Sequence, residues 1–205
     1  MAIALVAFDL DGTLVRGETC VEAIARRIGR SEECAAFEGL DASRDVEEVT
    51  TAREAMAEWY RGYAEEELVA GLLDLDLAPG TEQAFDLLRA KGITTAIVSI
   101  TWSVAVEWFA RRLGAEHTLG TRHGEGGIEH VWPSDKGPWL RDLTARLGLQ
   151  LDQVAAVGDS ASDRDLLEAA SLRFFVGESP PVISDLVHLP EGSIDEIARR
   201  IIASD

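Results

Sequence analysis

Four short, largely apolar runs punctuate the chain: Ile3 to Phe8, Ile93 to Val98, Val154 to Val157 and Leu172 to Val176. Each is too short for a helix of a globular domain and is bounded by polar residues, as a strand buried on both faces of a parallel sheet reads. Between them lie segments with helical spacing of apolar positions, at Thr81 to Ala90, Val104 to Leu113, Lys136 to Leu147 and Asp163 to Ala170, with a last one at Ile194 to Ile202. Strands alternating with helices predict an α/β fold, a Rossmann-like parallel sheet core with helices on both faces and right-handed crossovers.

One stretch departs from this alternation. Glu18 to Gly29, Ser43 to Gly62 and Ala64 to Leu73 are acidic, helical in pattern and without a strand candidate. They predict a small helical cap inserted after the first strand, so that residues 1–15 and 79–205 form the α/β catalytic core and residues 16–78 the cap. A helical unit at that point roofs the strand ends. The segment from His117 to Trp132, with Gly124, Gly126 and Gly127, predicts a β-hairpin leading back to the core.

With 205 residues, 46% of them hydrophobic, the chain buries a real core and has the size of one domain with a modest insertion. Its formal charge of -18, from 37 acidic against 19 basic residues, excludes extended contact with nucleic acid or an anionic membrane, both of which need basic surface. A small charged substrate in a locally basic pocket is compatible with that balance, which says nothing of oligomeric state. Cys20 and Cys34 fit no disulfide framework and no zinc spacing. The apolar opening is short, lacks a basic flank and runs into Asp9, unlike a signal peptide, and no run is long enough to span a bilayer, so a cytoplasmic location is expected.

Two strands end in carboxylates. Phe8 is followed by Asp9-Leu10-Asp11-Gly12-Thr13 and Val157 by Gly158-Asp159-Ser160, with Asp163 opening the next helix. Open α/β sheets place their ligands at the carboxyl ends of the strands, so Asp9 and Asp159 converge although 150 residues separate them. Asp9, Asp11 and Asp159 together make three like-charge pairs, each costing about 4 kcal/mol at 4 Å and an effective dielectric near 20. A hard divalent cation with oxygen ligands resolves that repulsion, and Mg²⁺ binds in this way through carboxylates, water and substrate phosphate.

The motifs Asp9-Leu10-Asp11-Gly12-Thr13, Ser99, Lys136 and Gly158-Asp159 with Asp163 resemble, in order and spacing, the four motifs of the haloacid dehalogenase-like hydrolases. The resemblance implies a phosphatase acting on a small phosphorylated metabolite, in which Asp9 is the nucleophile and Asp11 the general acid and base. It implies Mg²⁺ held by Asp9, the backbone of Asp11 and Asp159, with Asp163 in support, and phosphate bound by Ser99, the backbone of Ile100 and Lys136. Lysine is rare here, only Lys91 and Lys136 among the basic residues, so a lysine at the start of a core helix also points to a site that wants a compact ammonium.

The stretch Thr13 to Thr19 and the helical insertion are similar to the phosphoserine phosphatase group. That similarity implies Glu18 as the acceptor of a substrate ammonium, Arg53 as the donor to a substrate carboxylate, and phosphoserine or a similar amino-bearing ester as substrate. The chain departs from the group in having Ile100-Thr101-Trp102 after Ser99 in place of two glycines, Ser162 in place of asparagine and Gly12 in place of serine. A phosphotransferase or mutase uses the same aspartates, and a non-catalytic ligand-binding relative would lack the nucleophile or the acid. His117, His123, His130 and His188 show no metal-ligand spacing, and Trp102 and Trp108 are expected on one helix.

Overall fold

In the first strand, side chains alternate between two buried layers. Val6 and Phe8 join one apolar cluster and Leu5 and Ala7 the other, so the strand has no polar face and reads as a continuous apolar run. In the computed structural model, which describes residues 2–37, 39–42, 44–124, 126–190 and 192–204, this strand is β1 (Leu5–Phe8). It is followed by four helices, α1 (Cys20–Arg27), α2 (Ser31–Ala35), α3 (Val46–Tyr60) and α4 (Glu65–Val69), and a 3-10 turn at Ala70–Asp74. The chain then alternates through α5 (Thr81–Ala90), β2 (Thr94–Trp102), α6 (Ser103–Leu113), β3 (His117–Gly124), β4 (Gly127–Glu129), α7 (Pro133–Arg146) and β5 (Val154–Gly158). It ends with α8 (Arg164–Glu168), β6 (Leu172–Phe175), β7 (Leu186–His188) and α9 (Ile194–Ile202).

The sheet order is β4-β3-β2-β1-β5-β6-β7, with every pairing parallel except the β3–β4 hairpin. β1 therefore sits where the strand order reverses, flanked by β2 and β5, the position at which open α/β sheets bind ligands. Leu140 and Leu143 of α7 and Leu166 and Leu167 of α8 cover one face. The other cluster draws on α1, α5, α6 and α9 together with α3.

Between β1 and α5 the described residues form helices and turns, with only isolated bridges. Thr19 caps α1 by accepting from Glu22 N while the Glu22 carboxylate accepts from Thr19 N, a reciprocal box that fixes the helix start. α3 buries Val49, Ala52, Arg53, Met56, Ala57 and Tyr60, the three-and-four spacing of an amphipathic helix. The segments that lead into and out of this region are tied together by a bridge between Val15 and Leu77 and by hydrogen bonds from Arg16 N to Asp76 O and Ala78 N to Leu14 O. Ser43, the expected start of the second helical stretch, lies outside the described residues.

Several boundaries differ from expectation. β2 runs past Ser99 to Trp102, with an irregularity in its pairing with β3 between Val98 and Trp102, so Trp102 ends a strand instead of sharing a helix with Trp108. The hairpin's first arm doubles as a parallel partner of β2. α7 begins at Pro133, which places Lys136 inside its first turn. The short α2 and the three-residue edge strand β7 carry too few residues to show a period. No helix among the described residues is long and apolar enough to cross a membrane.

Candidate active site

The parallel register sets Phe8 of β1 beside Val157 of β5 and Ile97 of β2. The next residues of each strand therefore emerge at one edge, and Asp9 N still donates to Val157 O at 3.0 Å. Asp9 is 4% exposed, and one oxygen from each of Asp9, Asp159 and Asp163 falls within 4.8 Å of the others.

Lys136 is completely buried, and its Nζ donates to Asp9 Oδ1 at 2.8 Å and to Asp163 Oδ1 at 2.6 Å. Burial by itself depresses the ammonium's pKa, but Asp163 and Asp9 outweigh it and hold the lysine charged. Asp163 Oδ2 accepts from the backbone N–H groups of Asp159 and Ser160 at 3.0 and 3.1 Å, so both its oxygens are engaged in fixing the loop. Asp159 accepts from Thr13 Oγ1 through Oδ1, at 3.0 Å, and its carboxylate also lies within hydrogen-bonding reach of Asp9. Gly12 makes this approach possible. Its φ is +89°, and a Cβ there would fall 2.2 Å from Asp159 Oδ2.

Asp11 faces the start of α1, where Cys20 N donates to its Oδ1 at 2.7 Å. Burial raises the Asp11 pKa, and the Cys20 hydrogen bond only partly opposes it. Asp9 is raised well above the ordinary carboxylate range by burial and by Asp163, against the pull of Lys136. Burial and Asp163 push Asp159 up to about 6. Four carboxylates thus share one ammonium, an imbalance that suits a hard cation with oxygen ligands.

Ser99 is buried and its Oγ accepts from Thr101 N at 3.3 Å. The Ile100 carbonyl takes hydrogen bonds from Thr121 Oγ1 at 2.9 Å and from Arg53 Nη2 at 3.0 Å. A cavity of about 380 Å³ opens over Asp9, Asp11, Ser99 and Ile100, and α3 supplies its far wall through Val49, Ala52, Arg53 and Met56.

Of the residues singled out from sequence, the structure brings Asp9, Asp11, Ser99, Ile100, Lys136, Asp159 and Asp163 to one strand edge, with Arg53 across the cavity. Glu18 is not brought there. Its carboxylate pairs with Arg26 at 2.9 Å in a half-exposed contact and lines a separate surface depression, and Glu22, one turn further on, faces the cavity instead. Arg53 is 6% exposed and already donates to Ile100 O, to Val131 O at 2.9 Å and toward His130 Nδ1 at 3.3 Å, while lying 4.7 Å over the Trp132 ring. Burial lowers its pKa to about 10. Sequence reading quoted Thr13 and Thr101 within their motifs without a role for either hydroxyl, and passed over the Cys20 N–H and the apolar wall, to which only the three-and-four spacing of α3 pointed.

A family model described as haloacid dehalogenase-like hydrolase matches residues 6–168. The phosphoserine phosphatase of Methanocaldococcus jannaschii is 26% identical over 179 residues, which cover 82% of this chain and 83% of that one. The phosphoserine phosphatase of Halobacterium salinarum is 29% identical over 206 residues, 96% of each chain. Among solved structures, a phospho-aspartyl intermediate analogue of phosphoserine phosphatase matches with a TM-score of 0.77 at 22% identity, covering 98% of this chain and 99% of that one.

Proposed function

This chain belongs to the haloacid dehalogenase-like hydrolases, and on that premise we propose that it is a Mg²⁺-dependent phosphatase that hydrolyses a phosphomonoester through an aspartyl-phosphate on Asp9. The observation that carries the reading is the buried Asp9–Lys136–Asp163 chain beside Asp159. It fixes Asp9 through Oδ1 and sets its carboxylate against that of Asp159 at the wall of the cavity.

In the first half-reaction an oxygen of Asp9 attacks phosphorus, the ester P–O bond breaks, and Asp11 gives its proton to the departing alkoxide. The raised pKa of Asp11 favours the protonated form that this step needs. In the second, the Asp11 carboxylate takes a proton from water, whose oxygen attacks phosphorus, and the bond to Asp9 breaks to release phosphate. Lys136 balances charge on Asp9, and Ser99 Oγ with the Ile100 N–H faces the phosphoryl oxygens. Asp9, Asp159 and the Asp11 backbone would hold Mg²⁺, with Asp163 in support; when bound, the ion neutralises the phosphoryl charge. Residues 16–78 act as the cap, a reading supported by the α3 side chains that wall the cavity opposite Asp9.

The relatives' names make phosphoserine the first ester to assay. Glu18 gives it no support in this arrangement, since it stands outside the cavity. The testing experiment is phosphate release from phosphoserine and an aryl phosphate, with Mg²⁺ and with EDTA and no added acceptor. Metal-dependent release is expected, and its absence from every ester overturns the proposal. Release with water alone as acceptor also separates a hydrolase from a transferase.

A further inference from the structure

The cavity over Asp9 is lined, beyond the catalytic groups, mainly by apolar side chains: Val21 of α1, Phe37 and Leu40 after α2, Val49 and Met56 of α3, and Trp102 at the end of β2. Its volume, about 380 Å³, lies in the range of sites that take ligands larger than a single small amino acid, roughly 300–1,000 Å³. The polar groups that would read an amino acid are committed elsewhere. Glu18 is outside, Glu22 Oε2 serves the α1 cap by accepting from Thr19 N at 2.7 Å and Thr19 Oγ1 at 2.8 Å, and Arg53 is held by two carbonyls and His130.

A second, independent observation bears on where the polar end of a ligand would lie. Thr101, only 7% exposed, lines the cavity two residues beyond Ser99, and its Oγ1 makes no hydrogen bond to any described residue. A hydroxyl buried without a partner is costly, and a turn about χ1 toward the cavity would give it a ligand atom to bond.

From these features we infer that the leaving alcohol carries an extended apolar body, which fills the space between Trp102 and α3, with its polar ester end beside Ser99 and Thr101. The inference rests on the phosphatase reading and narrows it. Glu22 and Arg53 do line the cavity, but the α1 cap engages the one and two backbone carbonyls the other, so the surface left to meet the alcohol is mainly apolar.

The test is kcat/KM, with Mg²⁺, across a series of straight-chain alkyl phosphates from ethyl to octyl, alongside phosphoserine and glycerol phosphate. These esters have similar leaving groups, so chemistry is held nearly constant while apolar area grows. The expected result is a rise of about threefold to fourfold per methylene over the first members, with hexyl phosphate well ahead of phosphoserine. A flat or falling series, or phosphoserine ahead of hexyl phosphate, overturns the inference and leaves the phosphatase reading standing. Absence of Mg²⁺-dependent turnover of every ester, an aryl phosphate included, overturns the phosphatase reading itself. Leu40→Asn, on the half-buried rim, lowers the hexyl-to-ethyl ratio about fivefold; an unchanged ratio in a folded variant counts against the apolar wall.

Discussion

Nζ of Lys136 lies 2.8 Å from Oδ1 of Asp9, and both side chains are shut away from solvent. The pair is joined to Asp163 by the second Lys136 contact, so one ammonium sets the position of the proposed nucleophile and of the loop after β5 together. Removing one partner of such a cluster strands the others as buried, uncompensated charges.

Lys136→Met is therefore expected to destabilise the fold by about 3–5 kcal/mol, a fall in Tm of roughly 10 °C for a domain of this size, and to abolish turnover. Lys136→Arg does not rescue activity, because a planar fork does not replace a compact ammonium between two carboxylates. Thermal melts and phosphate-release assays check both. A Lys136→Met protein that melts within about 2 °C of wild type counts against the cluster as the organising element.

The pH dependence of metal-free stability has a definite sign. Burial and Asp163 hold Asp159 at about 6 in the folded protein, against about 3.9 in an unfolded chain. Between those values the folded form keeps a proton that the unfolded form has lost, so stability falls as pH rises through that window. Asp159 alone contributes roughly 3 kcal/mol to the change, and Asp9 and Asp11 act in the same direction. Mg²⁺ held by the ionised groups, as proposed, would reverse the trend, so its stabilising effect is expected to grow with pH. Melts at pH 4.5 and 7.5, in EDTA and in Mg²⁺, measure this; a larger Mg²⁺ effect at the lower pH contradicts it.

Gly12→Ala places a side chain on a positive-φ residue and 2.2 Å from the Asp159 carboxylate. The expected outcome is a Mg²⁺ affinity lower by at least about tenfold, since Asp159 must move by more than metal geometry tolerates. Titration of Mg²⁺ by calorimetry reads it, and unchanged affinity argues that Asp159 is not a ligand.

Thr101→Val removes a hydroxyl that has no partner among the described residues and nearly keeps its shape. Stability is expected to hold or rise by about 1 kcal/mol, while KM for hexyl phosphate rises about fivefold. A loss of stability with unchanged KM assigns the hydroxyl a structural role instead.

Glu18→Gln is expected to change the phosphoserine-to-hexyl-phosphate ratio of kcat/KM by less than about twofold, because the carboxylate pairs with Arg26 at the surface, a contact of the weak, salt-screened kind. A selective loss on phosphoserine would bring Glu18 back to the substrate.

The strands that carry the chemistry were legible because β1 and β5 are buried on both sides, which leaves no polar positions to blur the run before Asp9 or Asp159. Lys136 stood out through the scarcity of lysine in the chain. The reach of Glu18 was not legible. It precedes the Thr19 cap, and only the path of α1 shows that its carboxylate meets Arg26, eight residues on. β7 escaped notice because three residues at a sheet edge, two half-buried and one exposed, show no alternation. The cavity wall was hidden for a related reason: Val49 and Met56 read as ordinary core positions, and whether an apolar face covers protein or substrate depends on tertiary placement.

The most direct test of the proposed chemistry is acid-quench mass spectrometry of the Asp11→Asn protein, mixed with an aryl phosphate and Mg²⁺. Without the group that activates water, the phospho-enzyme persists, and the peptide containing Asp9 is expected to carry one phosphoryl group. Phosphate released at the wild-type rate with no labelled peptide, or a label on another residue, would contradict Asp9 as the nucleophile.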